Sequence, residues 1–219
     1  FKPLLAPYRP NGKPLHVQGF LKRFNRVAGH NAALLQELAD HGVPLVGLDP
    51  SMTLSYRAEY RKLPGLKAPQ VQLLQEWLAE QRDHLQGLNL RLPPGDFQLL
   101  AHCTEKTTAA PSLRDWQTVF SALGQNLTPV ATGCCGMAGT YGHEAAHRDT
   151  SRKIYELSWQ PIVNGAEQPE ALLVTGYSCR SQVRRFGNRQ LRHPLQALLE
   201  LVSSQPEDWA SPRRPDCAD

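Results

Sequence analysis

Apolar positions along the chain alternate between helix-like and strand-like spacing, and that alternation predicts an α/β protein. From Gln18 to His41, Phe20, Leu21, Phe24, Val27, Leu34, Leu35 and Leu38 recur at helical spacing, and His41-Gly42 closes the run. The short apolar run 43–48 reads as a buried strand. Asp49-Pro50-Ser51 then opens a helix to about Arg61, with Pro50 suited to a first turn. After a Pro- and Gly-containing linker at 63–69, a helix is predicted over 70–86. The second half repeats this grammar, with strands near 97–101, 127–131 and 171–175 and helices near 112–123, 143–163 and 194–202. Residues 1–16 are Pro-rich and basic, with a turn at Pro10-Asn11-Gly12. Trp116 and Trp159 fall on predicted core faces. Met52 is expected in the core as well.

The chemistry is concentrated in cysteine. Cys134 and Cys135 are adjacent and flanked by Gly133 and Gly136, whose backbone freedom lets the chain bend so that both sulfurs reach one object. Thirty residues separate Cys103 from the pair, and 43 separate the pair from Cys179. Each of the three cysteine positions falls just beyond the C-terminal end of a predicted strand. In open α/β sheets that edge is where ligands gather, so the four thiols are expected to converge. Four thiolates suit zinc or an iron–sulfur cluster. A dithiol–disulfide pair at Cys134 and Cys135 is the metal-free alternative. Cys217 sits in a polar tail, 203–219, and reads as a free thiol.

His102 adjoins Cys103 and is a candidate additional ligand. His143-Glu144-Ala145-Ala146-His147 matches H-E-x-x-H, which on a helix would set two imidazoles one turn apart beside a carboxylate. His143 and His147 are therefore candidates for a hydrolytic metal site, or for an approach to the metal held by the thiols. The alternative is a helix start with two exposed histidines.

Composition narrows the class. The 219 residues are 41% hydrophobic, which is enough for a full core, and there is no apolar run long enough to span a bilayer. The net charge of +4 suits an anionic partner without indicating nucleic acid, and no nucleic-acid motif is present. Arg180, Arg184, Arg185, Arg189 and Arg192 make the segment after Cys179 basic, as a solvated face or as a surface for an anionic partner. Five cysteines without a secretory signal favour a reducing compartment. The chain begins Phe1-Lys2-Pro3, as expected of an excised piece of a longer protein.

His102-Cys103, Gly133-Cys134-Cys135-Gly136 and Thr175-Gly176-Tyr177-Ser178-Cys179-Arg180 together resemble the cysteine-rich CCG domain. That domain occurs in the cysteine-rich subunit of heterodisulfide reductase and in iron–sulfur subunits of glycolate and glycerol-3-phosphate dehydrogenases. Gly133 to Glu144, Tyr155-Glu156-Leu157-Ser158-Trp159 and Thr175 to Val183 more closely resemble the C-terminal end of large bacterial FAD-linked D-2-hydroxyacid dehydrogenases, of the D-lactate or D-2-hydroxyglutarate type. The resemblance covers roughly residues 1–202. It implies a parallel-type sheet flanked by helices, in two pseudo-repeated lobes. A degenerate first lobe would occupy 1–66, the second lobe with the cysteine site 67–202, and a flexible tail 203–219. It also implies metal ligation by Cys103, Cys134, Cys135 and Cys179. FAD and a second iron–sulfur cluster would lie in flavin and ferredoxin-like domains of the same chain. Electrons would pass to an acceptor such as a quinone or carrier protein, in the cytoplasm or at the periphery of the inner membrane, and a homo-oligomer is compatible with this. The piece by itself is expected not to be catalytic. Two departures stand out. Met52 occupies a position where the first motif commonly has cysteine, and the closing Cys-x-x-Cys is reduced to Gly176-Tyr177-Ser178-Cys179. Four ligands suffice for one zinc or one cluster. A zinc-stabilised or metal-free docking domain is thus the alternative.

Overall fold

The structure is a computed structural model and describes residues 2–204. Cys217 lies outside the described residues. The elements run α1 (Lys13–Val17), α2 (Leu21–Asp40), β1 (Val46–Gly47), α3 (Pro50–Arg57), β2 (Gln72–Leu73), α4 (Leu74–Glu80), α5 (Arg82–Gly87) and β3 (Asp96–Leu100). They continue with α6 (Cys103–Thr108), α7 (Ser112–Ala122), β4 (Asn126–Pro129), α8 (Arg148–Gly165), β5 (Leu172–Val174), α9 (Tyr177–Gly187) and α10 (Pro194–Ser203). The expected α/β architecture with parallel strands flanked by helices is present. Among the described residues, no helix is long and apolar enough to cross a membrane.

The main sheet has strand order β4-β3-β5, all parallel, with Leu99 opposite Pro129 on one side and Leu173 on the other. Successive strand residues face opposite layers. Leu99, Ala101 and Leu173 join Trp116, Phe120 and Leu198 in one core, under α7 and α10. Leu100, Leu172 and Val174 join Tyr155, Trp159 and Val183 in the other, under α8 and α9. Cys135, Met137 and Cys179 belong to that second core. Trp116 and Trp159 are buried as expected.

The N-terminal part is built differently. β1 and β2 form a separate parallel pair of two residues each, Val46 opposite Gln72 and Gly47 opposite Leu73. α2 buries Phe24, Ala28, Asn31 and Ala32, a stripe at i, i+4, i+7 and i+8, against Tyr60. Phe20 and Leu21, expected in that stripe, are about half exposed because the helix begins only at Leu21. Tyr60 donates its hydroxyl to the Asn11 carbonyl at 2.8 Å, and Asn31 donates to the Pro10 carbonyl at 2.7 Å. These bonds pin the N-terminal segment to the helix.

Two expectations fail here. Met52 is 43% exposed, because α3 turns Pro50, Thr53, Leu54 and Ser55 inward instead. The H-E-x-x-H segment is not helical. Tyr141–His143 and Ala145–His147 are separate 3-10 turns with Glu144 extended between them, and α8 starts at Arg148.

Candidate metal centre

The three strands end side by side, and each chain exit carries cysteine into a turn. β3 leads into α6, whose first residue is Cys103. β4 leads to Cys134 and Cys135, and β5 leads to Cys179 in the first turn of α9. The thiols of Cys103 and Cys134 are in contact, as are those of Cys134 and Cys135, and those of Cys135 and Cys179. The four cysteines thus neighbour one another in pairs, in the order Cys103, Cys134, Cys135, Cys179. All four are free thiols.

Charge is unevenly shared along this chain. Cys134 receives hydrogen bonds from the Cys103 and Cys135 thiols and from the Gly136 and Ala138 amides, which hold it far below the ordinary thiol range. The Gly136 amide stands 3.3 Å from its sulfur. Gly136, Ala138 and Gly139 all have positive φ, so this turn curls its amides around an anion as a backbone nest does. Cys103 is pushed up first by its hydrogen bond to Cys134 and then by burial, and Cys135 first by Cys134, then by Cys179 and then by burial.

The turn is braced from α8 and α9. Ser151 Oγ donates to the Gly136 carbonyl at 2.8 Å, and Gln182 Nε2 donates to Ser151 Oγ at 2.7 Å. Trp159 Nε1 donates to the Gly133 carbonyl at 3.1 Å, and Ser158 Oγ accepts from the Gly133 amide at 2.9 Å. A Cβ on Gly136 would stand 2.2 Å from the Ser151 carbonyl, so only glycine fits there.

A second network lies beneath Cys103 and Cys179. The His102 amide donates to Thr175 Oγ1 at 3.0 Å, and Thr175 donates to Glu105 Oε2 at 2.6 Å. Gln75 donates to Glu105 Oε1 at 2.7 Å. Glu105 is fully buried, and loss of hydration raises its carboxyl to about 7. His102 caps α6, its Nδ1 accepting from the Thr104 amide at 3.1 Å. Burial keeps its imidazole below the usual range. A Cβ on Gly176 would meet the His102 ring at 2.5 Å and the Cys179 sulfur at 3.2 Å, so glycine lets the two pack together. Asp49, from the N-terminal part, accepts from the Met52 amide at 3.1 Å and from the Tyr177 amide at 2.9 Å. One carboxylate thus caps its own helix and the start of α9.

Of the candidate ligands, His102 is brought beside the thiols. His143 is exposed on its 3-10 turn. His147 stacks on Tyr141 at 3.9 Å and pairs with Glu144 at 3.1 Å. With Glu144 turned to its own histidine and no helix to align the imidazoles, the hydrolytic geometry is not formed. Among the described residues, no group of three or more His, Cys, Asp or Glu side chains is arranged to hold a single metal ion. The thiols touch in sequence rather than around one point. As a donor set they still suit a thiolate-ligated group: four soft sulfurs, partly buried, with the Cys134 thiol lowered by its neighbours. Sequence patterns miss Glu105, Thr175, Gln75, Ser151 and Gln182, because isolated polar residues carry no periodic signal.

No protein family profile matches the chain, and no solved structure matches it. Individual proteins do. A D-2-hydroxyglutarate dehydrogenase of Pseudomonas putida is 55% identical over 201 residues, covering 90% of this chain and 19% of that protein. One of Haemophilus influenzae is 44% identical over 210 residues, covering 92% of this chain and 20% of that protein. A subunit of the anaerobic glycerol-3-phosphate dehydrogenase of Escherichia coli is 25% identical over 209 residues, covering 91% of this chain and 51% of that polypeptide. Over nine-tenths of its length, the chain is therefore similar to proteins named D-2-hydroxyglutarate dehydrogenase, and it spans about a fifth of their length.

Proposed function

We propose that this chain is the C-terminal electron-transfer region of an FAD-linked D-2-hydroxyglutarate dehydrogenase, and that Cys103, Cys134, Cys135 and Cys179 hold an iron–sulfur cluster there. The observation that carries the proposal is the meeting of four thiols from three parallel strand ends, in a chain similar to those enzymes over nine-tenths of its length. Such a cluster takes up and releases single electrons, at a potential set by the hydrogen bonds and burial around its sulfurs. The chain's own residues supply those settings. The Gly136 and Ala138 amides stabilise negative charge on Cys134. Ser151, Gln182 and Trp159 fix the turn, and the buried Glu105 network fixes the Cys103 and Cys179 turns. Cys135 and Cys179 sit in an apolar core that excludes water. Substrate oxidation belongs to the four-fifths of the relatives that this chain does not span. A cluster would spread Cys103, Cys134, Cys135 and Cys179 over more than one iron, which would suit thiols strung in sequence better than the single centre of a zinc site.

The test is iron, acid-labile sulfide and zinc analysis, with an absorption spectrum, on anaerobically prepared full-length protein and its Cys134→Ser variant. The variant is expected to lose only this site's share of the iron, sulfide and visible absorption, while the flavin and the second cluster of the other domains keep theirs. One stoichiometric zinc, lost in the variant with iron, sulfide and colour unchanged, would make the site structural. Metal-free protein with a reducible Cys134–Cys135 bond would make it a dithiol centre.

A further inference from the structure

α8 and α9 present a basic face beside the Cys134-Cys135 turn. Arg148, Arg152 and Lys153 project from the start of α8, and Arg184, Arg185 and Arg189 come from α9 and its exit. Arg152 and Arg185 each stack on Phe186, with 5.1 Å from guanidinium carbon to ring centre, so one aromatic ring holds two cations together. Among the described residues, none of the six is ion-paired with a carboxylate. Asp149 and Glu156 are the acidic residues in this stretch of α8. Six cations against two carboxylates leave an excess of four, equal to the formal net charge of the entire chain. The remaining cations and carboxylates cancel in sum, with a second basic stretch in the first 36 residues, where Lys2, Arg9, Lys13, Lys22, Arg23 and Arg26 meet no carboxylate in sequence. Like charges at this spacing repel, so their grouping costs stability unless something anionic covers them.

The face is joined to the cysteines by covalent and hydrogen-bonded links. Arg185 donates to the Gly142 carbonyl, and the Gly142 amide donates to the Met137 carbonyl at 2.9 Å, within the cysteine turn. α9 begins beside Cys179 and ends in these arginines, a span of 11 residues, or roughly 16 Å.

We infer that this face is the docking surface for the acidic surface of a protein electron carrier, which would exchange electrons with the cysteine site next to it; the inference rests on the electron-transfer reading above. Five of the six cations are arginine, whose planar fork engages carboxylates in pairs, and the aromatic–arginine grouping is that of a protein interface. Electron-transfer encounters are small and short-lived, and electrostatic steering sets their on-rates.

The experiment uses oxidised flavodoxin, a small acidic one-electron carrier, as probe. Its binding to the full-length protein is measured by calorimetry at about 20 mM and about 0.5 M ionic strength. The combined variant Arg148→Glu, Arg152→Glu, Arg184→Glu, Arg189→Glu is compared with the corresponding glutamine variant, each checked for native circular dichroism. Binding at low salt is expected, weakened about tenfold or more by salt and by charge reversal, with the glutamine variant intermediate. Absence of binding, or binding unchanged by reversal, overturns the proposal. Arginine-dependent binding to phosphatidylglycerol vesicles in place of flavodoxin would assign the face to a membrane and overturn it too. Because binding needs no cluster, the same titration on the Cys134→Ser variant separates failure of the docking surface from failure of the cluster.

Discussion

Two strand–turn–helix units of this chain have the same local form and different fates. β1 leads through Asp49 into α3, and β3 leads through His102 into α6. In both, the turn residue caps the following helix with its side chain. β1, however, has two residues and one neighbour, whereas β3 has five and lies between β4 and β5. At the end of β3 three turns therefore meet, and four thiols with them. At the end of β1 a single carboxylate reaches across to the Tyr177 amide. A site of this kind depends on how many strands end together, more than on the turn itself. The first unit acts as a wall for the second.

That contrast can be broken first at Gly136. Gly136→Ala places a methyl group against the Ser151 carbonyl at φ +90 and is expected to cost about 3 kcal/mol or more in denaturant unfolding. Glu105→Ala leaves Gln75 and Thr175 without their buried partner, and about 3 kcal/mol is expected in the same measurement.

His193 sharpens the contrast through pH. It caps α10 by accepting from the Leu195 amide at 3.2 Å, packs against Trp116, and is lowered to about 4, first by burial and then by Arg180. A folded value below the unfolded one means that the unfolded chain takes up the proton first. The His193 contribution is therefore complete above about pH 6.5 and is lost as pH falls through about 4, on the order of 2–3 kcal/mol. In His193→Asn, which keeps a capping group, that acid loss should disappear from a pH series of unfolding midpoints.

The smallest effect is expected in the wall. Asp49→Ala removes the cap shared by α3 and α9, at about 1 kcal/mol. If Asp49→Ala were to cost more than Glu105→Ala, the wall would be carrying the site, and the comparison would be reversed.

The same contrast governs what is legible in the sequence. α2, α7 and α10 bury apolar side chains at helical spacing, and their pattern places them with boundaries a few residues out. Of the helices that flank the thiols, α6 is too short to show a period and α9 is mostly polar, so the apolar pattern marks neither. α6 buries Glu105 and no apolar residue, and α9 buries Gln182 between Cys179 and Val183. Helices that serve a polar site bury polar side chains, and hydrophobic periodicity passes over them. The convergence of the cysteines is legible because strand ends in a parallel sheet share one edge. The helix expected across His143 to His147 does not form, because Tyr141 and Glu144 engage His147 locally before α8 begins.

The central claim is that three strand-end turns hold one cluster together. Electron paramagnetic resonance of the reduced full-length protein, with Cys103, Cys134, Cys135 and Cys179 each replaced singly by serine, tests it most directly. All four substitutions are predicted to shift or abolish the same signal. If every signal survives all four substitutions unchanged, or if only one of the four alters any signal, the account is contradicted.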